Sequence, residues 1–236
     1  MKLIGLIGRA RSGKDTVASY LAIQHKFTHA AFAYPMKEML GAAFGNINFR
    51  DGDREKPIDW LGKSPRQLMQ TLGTEWGRNL VHQDLWTLLM EQKILSEKAL
   101  EEAGFNASMV ISDVRFHNEA DMILKHGGEL WRIQRDGASV AEHISEQAHW
   151  DTYQTKTIEN NGSLEELYLK VEEAYQGEEF TRFIEQVKVF SLEDNPALCR
   201  CDHKLQGTGA IFYQSTKLLQ CANCKGWQMV RKPIEV

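Results

Sequence analysis

Gly8 and the pair Gly13-Lys14, separated by four residues, constrain this chain more than any other stretch, because they follow directly on the apolar run Leu3-Ile4-Gly5-Leu6-Ile7. Apolar run, glycine loop and the segment beyond read as strand, turn and helix. The backbone N–H groups of such a loop converge with the positive end of the following helix and offer a polyphosphate a ring of donors. Residues without a β-carbon at 8 and 13 let the chain turn tightly and approach the anion closely. Lys14 then reaches the outer phosphates. Asp15 stands directly after the lysine and Thr16 one place later, so Thr16 is the candidate hydroxyl for Mg²⁺, directly or through a water, while Asp15 faces the metal or caps the helix. The plainer alternative is a glycine turn that caps an ordinary first helix.

Composition excludes several classes. With 236 residues, 42% hydrophobic and 25% charged, the chain has room for one domain of ordinary size and a small appendage. A formal charge of -4 argues against a general electrostatic grip on nucleic acid, so an anion site has to be locally basic. The amino-terminal apolar run is too short for a signal peptide or a membrane span, and a cytoplasmic protein is expected. All four cysteines, at 199, 201, 221 and 224, fall in the tail and point to a local site there.

Along the chain, Asp15 to about Gln24 reads as a helix with Val17 and Leu21 on one face. Phe27 to Ala33 reads as a second strand, closed by Tyr34-Pro35 before a helix from Met36 to about Phe44. Lys37 in the first turn of that helix opposes the helix dipole, which suits either a ligand contact or a solvated lysine. Gly45 to Gly62 is loop or lid-like insertion. Ser64 as N-cap and Pro65 at the first position open a helix with Leu68, Met69 and Leu72 on one face and Arg66 with Gln70 on the other, and Gly73-Thr74 breaks or bends it. Arg66 and Gln70 fit either an exposed polar face or a grip on a phosphate and a base edge. Val81 to Ala103 reads as continuous helix, with Trp86 as packing rather than a base platform.

Ser108 to Asp113 is an apolar run that ends in an acid, the pattern of a buried parallel strand whose carboxylate emerges beside the phosphate loop, to hold Mg²⁺ or orient substrate. Arg115 and Glu119 follow at the start of the next helix, which runs to Lys125 and stops at Gly127-Gly128. Glu129 to Ile133 completes another βαβ step. Arg135 to Trp150, with Glu142, His143 and Glu146, lies where a closing lid belongs, and Arg132 and Arg135 are lid or phosphate candidates. Thr155 to Ile158 reads as a last strand, Asn160-Asn161-Gly162 as a turn, Ser163 to Glu166 as a capping box opening a helix to Tyr175, and Glu178 to Val189 as a further helix.

Ser191 to Pro196 reads as a linker between a main domain, residues 1–190, and a small unit, residues 191–236. Cys199-x-Cys201, nineteen residues and Cys221-x-x-Cys224 make two chelating pairs at zinc-ribbon separation, with strands Ala210–Tyr213 and Lys217–Gln220 between them. Four thiolates make His203 unnecessary. So small a unit gains its folding energy from the metal. Lys225, Trp227, Arg231 and Lys232 permit a nucleic-acid or protein contact but also suit an ordinary surface.

Arg11-Ser12-Gly13-Lys14-Asp15-Thr16, Arg66 with Leu68-Met69-Gln70 and Leu72-Gly73-Thr74, Asp113-Val114-Arg115 with Glu119, and Asn161 to Leu167 together resemble the bacteriophage deoxynucleoside monophosphate kinases over about residues 1–175. The displaced Thr16 is also similar to the nucleoside-monophosphate-kinase-like branch of P-loop proteins. The resemblance implies a P-loop three-layer α/β/α fold with a central parallel sheet, and ATP- and Mg²⁺-dependent phosphorylation of deoxynucleoside monophosphates. Carried over by position, it implies ATP binding by Arg11, Ser12, Gly13, Lys14, Asp15 and Thr16. For the monophosphate it implies Lys37, Arg66, Gln70, Gly73, Thr74, Trp86, Asp113, Arg115 and Glu119, with Lys14, Asp113 and Arg115 at the chemistry. Ala10 stands where a relative has a loop lysine, and the cysteine tail has no counterpart there. Two other readings stay open: a kinase acting on a dephospho-coenzyme-A- or phosphomevalonate-like acceptor, and a nucleotide-gated nucleic-acid or protein reader. The implied partners are ATP and a deoxynucleoside monophosphate, with no membrane and with a homodimer left open.

Overall fold

The computed structural model describes residues 1–45, 47, 49, 54–105, 107–137 and 150–177, and the backbone of three strands at 210–213, 216–220 and 227–231. Its centre is β1 (Lys2–Ile7), flanked on both sides by parallel neighbours. With β2 (Thr28–Ala30), β3 (Ser108–Ile111), β4 (Glu129–Gln134) and β5 (Thr155–Glu159) it forms one sheet in the order β2-β3-β1-β4-β5, parallel throughout. Strands buried on both faces need no polar alternation, which is why β1 and β3 read as nearly continuous apolar runs.

Two separate cores show the three layers. Successive strand side chains point to opposite faces, so Ile4, Leu6 and Val110 join Trp131, Ile133 and Ile158 under α1 (Lys14–His25) and α6 (Leu164–Gln176). Leu3, Ile7, Met109 and Ile111 face the other way, against Trp86, Met90 and Ile94 of α4 (Leu85–Glu102) and Ala120, Met122 and Ile123 of α5 (His117–Lys125). The expected three-layer α/β/α architecture with a parallel sheet is what the chain adopts.

Several boundaries differ from the sequence reading. β2 ends at Ala30 because the next residues turn into α2 (Tyr34–Phe44), which takes Pro35 into its first turn, where a missing N–H costs nothing. α3 (Pro65–Gln70) starts as expected, with Ser64 Oγ accepting from Gln67 N at 3.2 Å and Gln67 Oε1 accepting from Ser64 N at 2.9 Å. Gly73-Thr74 does not break it. The chain passes into a π-helix, Thr71–Val81, and the break comes at His82–Asp84, before α4. Gly73 and Gly77 let this wider helix lie directly on Met36 and Trp86: a β-carbon at 73 would stand 2.8 Å from Met36 Sδ, and one at 77 would stand 2.5 Å from Trp86 Cζ2.

A second sheet, antiparallel, consists of β6 (Ala210–Tyr213), β7 (Thr216–Gln220) and β8 (Trp227–Arg231). The first two match the expected strands; β8 is a third the sequence reading did not mark. The expected lid core at 138–149, the helix at 178–189, the linker at 191–196, and Cys199, Cys201, His203, Cys221, Cys224, Lys225 and Lys232 lie outside the described residues. Among the described residues no helix is long and apolar enough to cross a membrane.

Candidate active site

In an open parallel sheet, ligands bind beyond the carboxyl ends of the strands where the strand order reverses. That place is the end of β1. The glycine loop leaves it at Gly8 and enters α1 at Lys14. Gly13, at φ 103, is the N-cap and supplies no side-chain cap, which suits an anion at the positive end of the helix. Arg11 adopts φ 63, a left-handed conformation rare outside glycine, and its side chain is exposed. Ser12 is 1% exposed and its Oγ has no hydrogen-bond partner among the described residues.

Lys14 folds back on the loop, its Nζ donating to Gly8 O and Arg9 O, each at 2.7 Å. Asp15 is exposed in the first turn of α1, next to the half-buried Thr16. The loop is backed by β4 and the end of β5. A β-carbon at Gly8 would clash with Ile133 O, and Asn160, just beyond β5, donates from Nδ2 to Ser12 O at 2.8 Å. Sequence reading took Asn160 only as part of a turn.

The end of β3 supplies the facing wall. Gly5 pairs with Ile111, and Asp113 follows two residues beyond that end of β3, on the side where the loop leaves β1. Its Oδ1 accepts from Phe32 N at 2.7 Å and Oδ2 from Ala33 N at 3.0 Å, which fixes the carboxylate at the turn into α2. Burial raises the Asp113 pKa above the ordinary carboxylate range, against the two N–H donors and the charges of Arg115 and Lys37. Those two candidate cations therefore stand in the field of Asp113. Arg115 is exposed and Lys37 half-buried, its ammonium 5.6 Å from the Tyr34 ring centre.

Glu119 is buried. Its Oε2 accepts from Arg115 N at 2.8 Å and Phe116 N at 3.1 Å, capping α5, and its Oε1 meets Arg78 Nη2 at 2.8 Å. Burial first, and the Asp113 charge second, push its pKa up to about 7. Arg78 comes from the π-helix and also covers the Phe116 ring at 4.1 Å. His29 of β2 joins the group, with Nε2 2.8 Å from Ser112 Oγ. Burial lowers its pKa, with Lys37 and Lys93 acting in the same sense, while the charges of Asp15 and Asp113 oppose. A single imidazole thus feels both the loop's helix and the acid of β3.

Other candidates lie differently. Arg66, on α3, pairs through Nε with Glu55 Oε1 at 2.7 Å, and Gln70 is half-buried four residues on. Thr74 is half-buried in the π-helix. Trp86 is 2% exposed and donates its indole N–H to Gly73 O at 2.8 Å. The resemblance placed it beside the monophosphate; here its indole is packing, as the residues alone suggested, and what it holds is the backbone of Gly73. Arg132 pairs with Asp151 at 2.8 Å, and Arg135 is exposed. Neither Arg78 nor His29 stood out in the sequence, since one depends on the phase of a π-helix and the other on a strand order that only the fold supplies.

A family model described as deoxynucleotide monophosphate kinase matches residues 2–60 and 58–171. The chain belongs to the deoxynucleotide monophosphate kinase family. Within this family it is 33% identical over 190 residues to a protein of Acanthamoeba polyphaga mimivirus named putative deoxynucleotide monophosphate kinase, covering 72% of this chain and 94% of that one. A deoxynucleoside-5'-monophosphate kinase of Escherichia phage T5 is 40% identical over 71 residues, 30% of this chain and 26% of the relative. Among solved structures, a dephospho-CoA kinase from Campylobacter jejuni matches with TM-score 0.42 at 12% identity, over 75% of this chain and 96% of that one; a likeness this distant does not bear on the acceptor.

Proposed function

We propose that this family member transfers the γ-phosphoryl group of ATP to the 5′-phosphate of a deoxynucleoside monophosphate, giving ADP and a deoxynucleoside diphosphate. What supports the reading is the β1–β3 pairing, whose last pair is Gly5 with Ile111, so that the phosphate loop after β1 and the Asp113, Arg115 and Lys37 group follow the same end of the sheet. The acceptor phosphate has a second pKa near ~6, so at neutral pH an oxygen already carries the charge it attacks with, and no strong general base is needed. That oxygen forms the new bond to the γ-phosphorus as the bond to the β,γ-bridging oxygen breaks, and ADP keeps the electron pair.

The work of the protein is positioning and screening. Arg11, Ser12, Gly13, Lys14, Asp15 and Thr16 hold the ATP phosphates. Lys14 exchanges Gly8 O and Arg9 O for phosphate oxygens. Arg115 and Lys37 face the acceptor phosphate, with Asp113 fixing the turn that carries Phe32 and Ala33. Arg66, Gln70, Gly73 and Thr74 line the acceptor side from α3 and the π-helix. Thr16 and Asp15 offer the hard oxygen donors Mg²⁺ favours; when bound, the ion would screen the charge of the β- and γ-phosphates.

For the tail we infer a structural zinc ion held by Cys199, Cys201, Cys221 and Cys224. The two chelating cysteine pairs at zinc-ribbon separation support this, as does the antiparallel pairing of β6 and β7 between them.

A coupled ADP-release assay over the four deoxynucleoside monophosphates tests the activity. ADP should form only when an acceptor is present, and Lys14→Ala should lower turnover by about a hundredfold or more while the melting temperature holds. No ADP with any of the four, or unchanged turnover in the variant, rejects the reading.

A further inference from the structure

We propose that Asn160 is a positioning residue for the phosphate loop, setting the peptide between Ser12 and Gly13 so that the Gly13 N–H is presented to the ATP phosphates. Three observations meet at this side chain. Its Nδ2 donates to Ser12 O at 2.8 Å in a buried contact. The amide occupies the space a side chain at Gly13 would need, since a β-carbon there would clash with Asn160 Nδ2. Its own backbone N–H donates to Gln134 O at 2.7 Å, continuing the β4–β5 ladder past the end of β5 and anchoring the residue to the five-stranded sheet.

The consequence follows from peptide geometry. In a trans peptide the C=O and the N–H point in opposite directions. Holding Ser12 O against Asn160 therefore turns the Gly13 N–H away from β5, toward the open end of α1, where Gly13 supplies no side-chain cap. The φ of 103 at Gly13 is the local cost of that orientation, tolerable only for glycine. Lys14 cannot do this job, because its ammonium holds the carbonyls of Gly8 and Arg9, at the other end of the loop.

The proposal rests on the reading of the loop as the ATP site, and the experiment separates the two. Isothermal titration of the full chain with MgATP and with dGMP compares wild type, Asn160→Ala, Gly13→Ala and the double variant. Wild type binding MgATP upholds the reading; no binding removes reading and proposal together. Given binding, Asn160→Ala should raise the Kd for MgATP about tenfold, by freeing the peptide and leaving a buried carbonyl unpaired, with the Kd for dGMP unchanged. Gly13→Ala should cost less in the Asn160→Ala background than in wild type, because the clash is gone and only the backbone strain is left. Asn160→Asp, which cannot donate to Ser12 O, should not restore binding, and Asn160→Ser gives the same readout should the alanine variant not fold. Unchanged MgATP affinity in Asn160→Ala, equal weakening toward both nucleotides, or full additivity with Gly13→Ala overturns the proposal while leaving the ATP site in place.

Discussion

Arg78 and Glu119 meet at 2.8 Å across the join between the π-helix and α5, with their side chains 15% and 3% exposed. This ion pair ties the π-helix to the end of β3, because the same carboxylate takes the N–H groups of Arg115 and Phe116. The π-helix is thus held at two points: by Arg78 at its far end and by Trp86, through Gly73 O, near its start.

Removing one partner of a buried pair leaves the other charge without compensation, which costs about 3–5 kcal/mol, whereas replacing both by apolar groups can be close to neutral. Arg78→Met should therefore lower stability by about that amount, and the pair Arg78→Met with Glu119→Leu by less than the sum of the two single changes. Urea denaturation midpoints for the four proteins measure this. Additive losses would mean the two side chains do not act as a unit.

The same carboxylate makes stability depend on pH. Glu119 titrates near 7 in the fold against 4.5 ordinarily, so the folded chain holds a proton the unfolded chain has released. Its stabilising contribution is complete below about pH 4.5 and is lost as the pH rises through about 7. Asp113, also raised, acts in the same sense, while the charge of Arg78 opposes the shift at Glu119 and those of Arg115 and Lys37 oppose it at Asp113. Glu119→Gln should flatten the fall in unfolding free energy across that window, and an unchanged slope would exclude Glu119 as its source.

Gly77 is the more tightly packed of the two π-helix glycines. A β-carbon there stands 2.5 Å from Trp86 Cζ2 and 2.9 Å from its Nε1, so Gly77→Ala has to push the indole away from Gly73 O. Overpacking of this kind costs about 1–3 kcal/mol. The expected signature is a shift in tryptophan emission with a raised KM for the monophosphate and an unchanged KM for ATP, since the loop lies at the other side of the cleft. A KM for ATP that rises equally would show that the two walls do not respond separately.

What the sequence disclosed and what it hid divide along physical lines. The loop from Gly8 to Thr16, the acid ending β3, the N-cap Ser64 and the capping box at Ser163 were legible because each depends on residues close in sequence. The π-helix was hidden because Gly73-Thr74 reads as a helix breaker, and the side chains that keep it wound, Met36 and Trp86, come from other helices. Asn160 and Ser12 are 148 residues apart, and Arg78 and Glu119 are 41 apart. Such pairs become visible only once β3, β1, β4 and β5 lie side by side. Trp86 shows the opposite case, in which position within a resemblance implies a ligand contact and its apolar neighbours imply packing, and its indole lies in the core against the sheet.

The tail gives the last test. A hairpin of β7 and β8 with a third strand is too small to bury much apolar surface, so a unit of this size needs another source of stability, and four thiolates around zinc would supply it as folding energy. Purified full-length chain should carry one zinc per protomer by elemental analysis. Cys221→Ser should lose the metal and expose the tail to limited proteolysis, and chelation of wild type should do the same, while the melting of the five-stranded sheet stays where it was. Stoichiometric zinc retained in Cys221→Ser would contradict the four-thiolate site, and loss of both units together would mean that the tail does not fold as a unit of its own.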